Sequence, residues 1–194
     1  MTRIALIRHY PTSWNAAKRL QGQTDIPLTG EARVLLAGLK FPAPWNQARL
    51  IASPLSRARE TAEILAAPGQ ALTLESRLVE LSWGDWEGQT AHKLLSRPDS
   101  GFRPTHEWDA DTKAPGGESG REAWARVRPA LVDIAAAPAP AVLVTHKALM
   151  RLILTRAWGG ETSPEIKRGR LYPLTLGATG LPGEPGEPVR LEPR

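Results

Sequence analysis

A chain of 194 residues with 41% hydrophobic and 23% charged content is long enough for one domain with a sizeable core. The net charge of +5 would admit nucleic acid as a partner, but the basic residues are scattered, no run of Lys and Arg exceeds two residues, and no nucleic-acid motif is present. Cys is absent, which excludes disulfides and thiolate metal sites; no stretch approaches a membrane span, so a cytoplasmic protein without a membrane partner is expected.

Ile4-Ala5-Leu6-Ile7 is a short unbroken apolar run, the pattern of a buried parallel strand, and it ends on Arg8-His9. Thr29 reads as the N-cap of a helix, with Glu31 in its first turn and Leu35, Leu36 and Leu39 on one face. A second strand run, Leu50-Ile51-Ala52, leads into Ser53-Pro54, a cap followed by Pro at the first helical position. Leu55, Ala58, Ala62 and Leu65 then recur at helical spacing. From Trp83 to Gly117 the alternation breaks in a segment rich in Trp, His and turn residues, which reads as a cap over the sheet rim.

Ser119 and Glu122 form a capping box, and Trp124, Val127, Leu131 and Ile134 continue as one helix face, with Pro129 expected to kink or split it. Ala141-Val142-Leu143-Val144 is the third strand run; it ends on Thr145-His146, and Leu149, Leu152 and Ile153 mark a last helix. The alternation predicts an α/β fold, a three-layer α/β/α sandwich around a mostly parallel sheet. A single domain over 1–194 is expected, with 83–117 as the cap insertion and the Pro-rich 181–194 as a loosely held tail or terminal hairpin.

In such sheets ligands bind at the carboxyl ends of the strands. The three runs aim Arg8, His9, Arg57 and His146 at one rim. Fixed cationic donors suit a phosphoryl group, because guanidinium binds phosphate oxygens bidentately and transfer depends on neutralising spread charge. A His in that setting can act as a nucleophile, and an acid must then protonate the departing oxygen. Glu80, in the apolar stretch Leu78-Val79-Glu80-Leu81, is the candidate acid, since desolvation raises a carboxyl pKa. On spacing alone it reads equally as a structural carboxylate paired with Arg77. A metal site is not expected: no H-x-x-H or H-E-x-x-H spacing occurs.

The segments LIRHYPTSWN, QGQTDIPLTGEA, SPLSRARETA, LVELSWGDWEGQT, PGGES and VTHKALMR resemble, in order, the motifs of the histidine phosphatase superfamily, also called phosphoglycerate-mutase-like. The resemblance covers about Ile4 to Arg151, and QGQTDIPLT and PGGES look most like the α-ribazole phosphatase and small-phosphatase branch. It implies that His9 is the nucleophile that becomes phosphohistidine and that Glu80 is the proton donor. It implies further that Arg8, Asn15, Arg57 and His146 contact phosphate. The implied activity is metal-independent and cofactor-free hydrolysis of a small phosphorylated metabolite. Phosphoglycerate-mutase-type transfer and a weakly active phosphate-binding regulator are the alternatives. Two positions depart from the family pattern: Tyr10 and Lys147 stand where glycine is usual. Tyr10 is expected to line the pocket entrance and restrict leaving groups, or else to pack into the core and fix the His9 loop.

Overall fold

Side-chain alternation along three apolar strands sets the architecture. The computed structural model describes residues 1–103, 111, 113–157 and 165–194. In chain order the elements are β1 (Thr2–Arg8), α1 (Ser13–Ala16), α2 (Gly30–Ala37), β2 (Leu39–Lys40), β3 (Arg49–Ala52), α3 (Ser56–Leu65), β4 (Leu72–Leu74) and α4 (Ala91–Leu95). They are followed by α5 (Gly120–Ala136), β5 (Ala141–Thr145), α6 (Lys147–Ala157), β6 (Arg170–Leu176), β7 (Pro182–Pro185), β8 (Val189–Arg190) and β9 (Glu192–Pro193).

The main sheet runs β4-β3-β5-β1-β6-β7, and its first four strands are parallel. The antiparallel strand β6 extends it beyond β1 and carries β7 and β8 as antiparallel partners. Ile4 and Leu6 of β1, Ile51 of β3 and Leu143 of β5 point to one face, where α5 and α6 bury Val127, Leu131, Leu149 and Ile153. Ala5, Ile7, Leu50, Val142 and Val144 point to the other, against Ala32 and Leu36 of α2 and Ala58, Ala62 and Leu65 of α3. Three layers result, as the alternation predicts. Each fully buried aliphatic side chain contributes about 1.5–3 kcal/mol of transfer free energy.

The helix ends show where local signals hold and where tertiary partners intervene. Thr29 caps α2 through its side chain, and the Ser119–Glu122 box caps α5. Only Ala32 and Leu36 of α2 are buried; Leu35, placed by spacing on the core face, is exposed. α3 begins at Ser56, not at Pro54 as the Ser-Pro signal implied. Its first turn is capped from a distance: Asp25 accepts hydrogen bonds from the Ser56 backbone N–H and hydroxyl, both at 2.7 Å. α5 runs unbroken through Pro129, so the expected split does not occur.

Within 83–117, the described residues form two short 3₁₀ turns and α4. Trp83, Trp86, Leu94, Phe102 and Ala114 join the cluster formed by α5 and α6. His106 and Trp108 of that segment lie outside the described residues. In the final stretch, β7 and β8 pair with β6, β9 pairs with β2, and the Arg194 guanidinium donates to the carbonyls of Leu39 and Ile64. No helix among the described residues is long and apolar enough to cross a membrane.

Candidate active site

The register of the parallel strands fixes the site. Arg8 lies opposite Thr145, and Ala52 lies opposite Val144, so three strands end at one level. Beyond them the His9 N–H donates to the Thr145 carbonyl at 2.9 Å and the Ser53 N–H to the Val144 carbonyl at 3.0 Å. These bonds continue the ladder one residue past each strand and bring the rings of His9 and His146 to 5.3 Å.

The tautomers follow from the partners. His9 Nδ1 lies 2.7 Å from the Tyr10 carbonyl, which can only accept, so Nδ1 carries the proton and Nε2 keeps a free lone pair. In His146, Nδ1 accepts from Arg57 Nε at 3.2 Å, and Nε2–H donates to Ser53 Oγ at 2.8 Å. Ser53 therefore serves His146 rather than a helix cap. Burial first, and then the guanidinium of Arg57, hold both imidazoles well below the ordinary histidine pKa. Both rings are neutral near pH 7.

Glu80 sits in the loop after a 3₁₀ turn at Ser76–Leu78. Its carboxylate accepts from the backbone N–H groups of Leu81 at 3.1 Å, Ala148 at 3.1 Å and Leu149 at 3.0 Å. Two of these belong to the first turn of α6, whose orphan donors and dipole favour a negative group. Burial dominates nonetheless and raises its pKa above the usual carboxylate value. The pairing with Arg77 does not form: Arg77 binds Glu75 and Asp133 instead. The Arg126 guanidinium donates to the carbonyls of Arg77 and Val79 and to the Glu118 carboxylate, which fixes the loop that carries Glu80.

A cleft of about 470 Å³ opens over this rim. Arg8, His9, Asn15 and Glu80 line it, whereas Arg57 and His146 lie beneath its floor, fully buried. The Arg57 guanidinium is engaged by protein acceptors: besides His146, it donates to the Gly22 carbonyl at 2.5 Å and the Thr24 carbonyl at 2.9 Å. The loop offering those carbonyls is tied down in turn by Glu87, which accepts from the N–H groups of Gln23 and Thr24. Only glycine fits at position 22, since a Cβ there would lie 2.1 Å from Glu87 Oε1 and 2.8 Å from the Leu81 carbonyl.

Asn15 is fixed by a capping box with Thr12, and its Oδ1 also accepts from Arg168 at 2.9 Å. Arg168 was not legible as a site residue. It precedes the antiparallel strand β6, and the pairing of Leu171 with Ile7 brings the residues just before β6 alongside His9 and Tyr10. Its charge lowers the pKa of Arg8, which burial pushes down to about 10. Gln21 Oε1 accepts from Thr12 Oγ1, which turns its amide nitrogen away from that partner. Arg8 Nε, Gln21 Nε2 and Arg168 Nε are all buried without a partner. Buried unpaired donors are rare, and the two on cleft-lining residues, Arg8 and Gln21, suit an anion. Among the described residues, no three His, Asp or Glu side chains are grouped as metal ligands.

Tyr10 does not line the cleft. It is 4% exposed, belongs to the apolar cluster of α2 and α3, and its N–H donates to Thr61 Oγ1 at 3.1 Å. Its hydroxyl reaches Gly169, where φ is +70° and a Cβ would approach to 3.0 Å. Lys147, by contrast, is exposed on the first turn of α6 and lines the cleft. Neither Tyr10 nor Lys147 has positive φ, so the backbone at these positions does not require glycine.

A strand-end histidine with a free Nε2, a buried acid and a cluster of cationic donors are the groups that phosphoryl transfer through a histidine requires. The family model of the histidine phosphatase superfamily (branch 1) matches residues 4–176, and the chain belongs to that superfamily. Its relatives include the probable phosphoglycerate mutase GpmB of Salmonella paratyphi C, 36% identical over 151 residues that span 75% of this chain and 70% of the relative. Similar solved structures include a phosphoglycerate mutase from Thermus thermophilus, with a TM-score of 0.72, 29% identity, and coverage of 98% of this chain and 100% of the other. A mycobacterial glucosyl-3-phosphoglycerate phosphatase complexed with VO3 superposes with a TM-score of 0.73 at 25% identity, covering 100% and 98% of the two chains.

Proposed function

We propose that the protein hydrolyses a small phosphomonoester through a phosphohistidine at His9. The observation that carries this reading is the His9 Nδ1–H bond to the Tyr10 carbonyl, which leaves a neutral ring with Nε2 unencumbered. In the first step Nε2 forms a bond to phosphorus as the ester P–O bond breaks, and the protonated Glu80 carboxyl gives its proton to the leaving oxygen. In the second step the Glu80 carboxylate takes a proton from water, whose oxygen displaces Nε2 and releases inorganic phosphate. Arg8, with Asn15 and Arg168 beside it, meets the charge on the equatorial oxygens. Arg57 and His146 hold the floor on which these groups sit, and cationic side chains do the neutralising that a metal does elsewhere.

The likeness of QGQTDIPLT and PGGES to the α-ribazole phosphatase branch and the likeness to a mycobacterial phosphatase support hydrolysis. The relatives named phosphoglycerate mutase favour a second reading, in which His9 returns the phosphoryl group to an alcohol instead of water. Phosphate release from p-nitrophenyl phosphate in the presence of EDTA, with alkaline quench and peptide mapping, tests the proposal. A phosphoamidate on His9 and chelator-resistant turnover are expected. Label on another residue, or EDTA inhibition reversed by added metal, would refute it. Isomerisation of phosphoglycerate without phosphate release would establish the second reading.

A further inference from the structure

One short stretch of loop touches most of the site. Leu20 and Gln21 line the cleft, and Gly22 and Thr24 offer the carbonyls that engage the buried Arg57 guanidinium. Gln21 Oε1 accepts from Thr12 Oγ1 at 2.9 Å and from Asn15 Nδ2 at 3.4 Å, and its Nε2 is buried with no partner among the described residues. The same few residues therefore supply a donor to the cleft and the acceptors that seat Arg57 against His146.

This stretch is anchored on both sides of Gln21, each time by residues 87–89. Before Gln21, the Leu20 N–H donates to the Gln89 carbonyl at 2.8 Å and the Gly88 N–H to the Leu20 carbonyl at 2.9 Å. After it, Glu87 Oε1 accepts from the Gln23 N–H at 2.9 Å, and Oε2 accepts from the Thr24 N–H at 2.8 Å and from the Thr24 hydroxyl. Oε1 also accepts from the Trp83 N–H at 3.1 Å, so the carboxylate ties the loop to the turn that carries it. Burial pushes the Glu87 carboxyl up, but these donors outweigh it and hold its pKa below the usual carboxylate value. Burial likewise lowers the pKa of Arg57, and the charges of Glu80, Asp25 and Glu87 oppose that fall. Glu80 is neutral when it acts as the acid, so Asp25 and Glu87 are the members of this set that stay charged in that step.

An amide cannot replace this carboxylate. Each oxygen faces a backbone N–H, so a glutamine would set its own NH2 against one of them whichever way it turned. Gln23 and Thr24 are exposed, however, and water can meet their N–H groups when Glu87 is gone. Loss of the carboxylate therefore costs the loop its shape more than it costs the fold its stability.

We propose that Glu87 is a positioning residue for the phosphoryl site: its carboxylate sets the loop so that Gln21 presents Nε2 to the reacting group and the Gly22 and Thr24 carbonyls hold Arg57 against His146. The inference rests on the phosphatase reading above and adds to it a residue that acts without touching substrate.

The test is Glu87→Gln, assayed well below its Tm. kcat/KM for p-nitrophenyl phosphate should fall about tenfold or more, competitive inhibition by inorganic phosphate should weaken about tenfold, and Tm should drop by only a few degrees. The loss should be the same on glycerol 3-phosphate, because the N–H groups that hold the Glu80 carboxylate lie outside this loop. Gln23 Nε2 does donate to the Glu80 carbonyl at 3.1 Å, so a route through the acid would show as a larger loss on the alkyl ester. Thr24→Ala removes one donor to Glu87 and should show the same signature at about threefold, whereas Thr24→Ser should behave as wild type. This pair decides the matter if Glu87→Gln does not fold. Wild-type kcat/KM and phosphate inhibition in folded Glu87→Gln or in Thr24→Ala, or a loss confined to glycerol 3-phosphate, would overturn the positioning role and leave the phosphatase reading standing. A wild type that turns over neither compound and carries no label on His9 would overturn the phosphatase reading itself.

Discussion

Replacing Glu80 with Gln removes a proton and little volume, and the structure sets two opposed consequences. The first is kinetic. An alkyl phosphate leaves as a strongly basic alkoxide unless it is protonated, so loss of the acid should cost roughly 10²–10⁴ in kcat/KM, about 3–5 kcal/mol of barrier. Nitrophenolate needs no proton to leave, and its loss should stay below about tenfold. The second is thermodynamic. Burial raises the Glu80 pKa in the folded state, so the native protein binds a proton that the unfolded chain releases. The stability deficit is absent below the unfolded carboxylate pKa and grows as pH rises toward the folded pKa. Each pKa unit of elevation costs the wild type about 1.4 kcal/mol at neutral pH. Gln does not carry that cost but loses acceptor capacity toward three backbone N–H groups. Melting curves at about pH 4.5 and 7.5 should therefore shift relative to each other in favour of Glu80→Gln at the higher pH. Equal losses on alkyl and nitrophenyl substrates, with a pH-independent Tm difference, would show that Glu80 is neither the acid nor a strained carboxyl.

The histidines make the opposite prediction with pH. His9 and His146 stay neutral when folded but protonate below about pH 6.5 when unfolded, so stability should fall on acidification by up to about 2.7 kcal/mol per pH unit, read by urea titration at pH 7, 6 and 5. The acid limb of kcat/KM should lie below about 6.5 for the same reason; a limb at or above that value would refute the neutral His9. Arg57→Met should destabilise by about 3–5 kcal/mol, because the buried His146 Nδ1 and Gly22 carbonyl, and the part-buried Thr24 carbonyl, lose their donor; a normal urea midpoint with lost activity would instead mean direct phosphate contact. Tyr10→Gly should lower Tm by about 10 °C and depress kcat/KM for slim and bulky phosphomonoesters in equal proportion; a broadened substrate range at unchanged Tm would place Tyr10 back at the entrance.

Much of the sheet was legible because β1, β3 and β5 are each buried on both faces and so read as uninterrupted apolar runs. Arg8, His9 and His146 were legible because parallel strands deliver their carboxyl ends to one rim. Helix starts were less secure: Ser53-Pro54 has the composition of a cap, yet its hydroxyl is taken by His146 and the actual cap, Asp25, lies thirty-one residues from Ser56. Tyr10 could not be placed because strand-end residues face either the cleft or the core, and one rotation separates them. The depth of Arg57 was equally hidden, since its acceptors are backbone carbonyls of a loop with no charge to signal them.

Arg168 shows what a search of strand ends must miss. The carboxyl-end rule holds for parallel strands, and β6 is antiparallel to β1, so its beginning arrives where the others finish. A basic residue just before such a strand reaches the same site from the opposite chain direction. In this molecule that residue orients Asn15 and adds its charge beside Arg8. If it acts through Asn15, Arg168→Lys should keep the charge but lose the side-on bond and raise KM with little change in kcat. Arg168→Gln should in addition weaken competitive inhibition by inorganic phosphate about tenfold. Identical phosphate inhibition in Arg168→Gln and wild type would mean that the guanidinium only braces the loop. The extra cation would then owe its place to packing between β6 and α1, and the anion site would be built from the parallel strands alone.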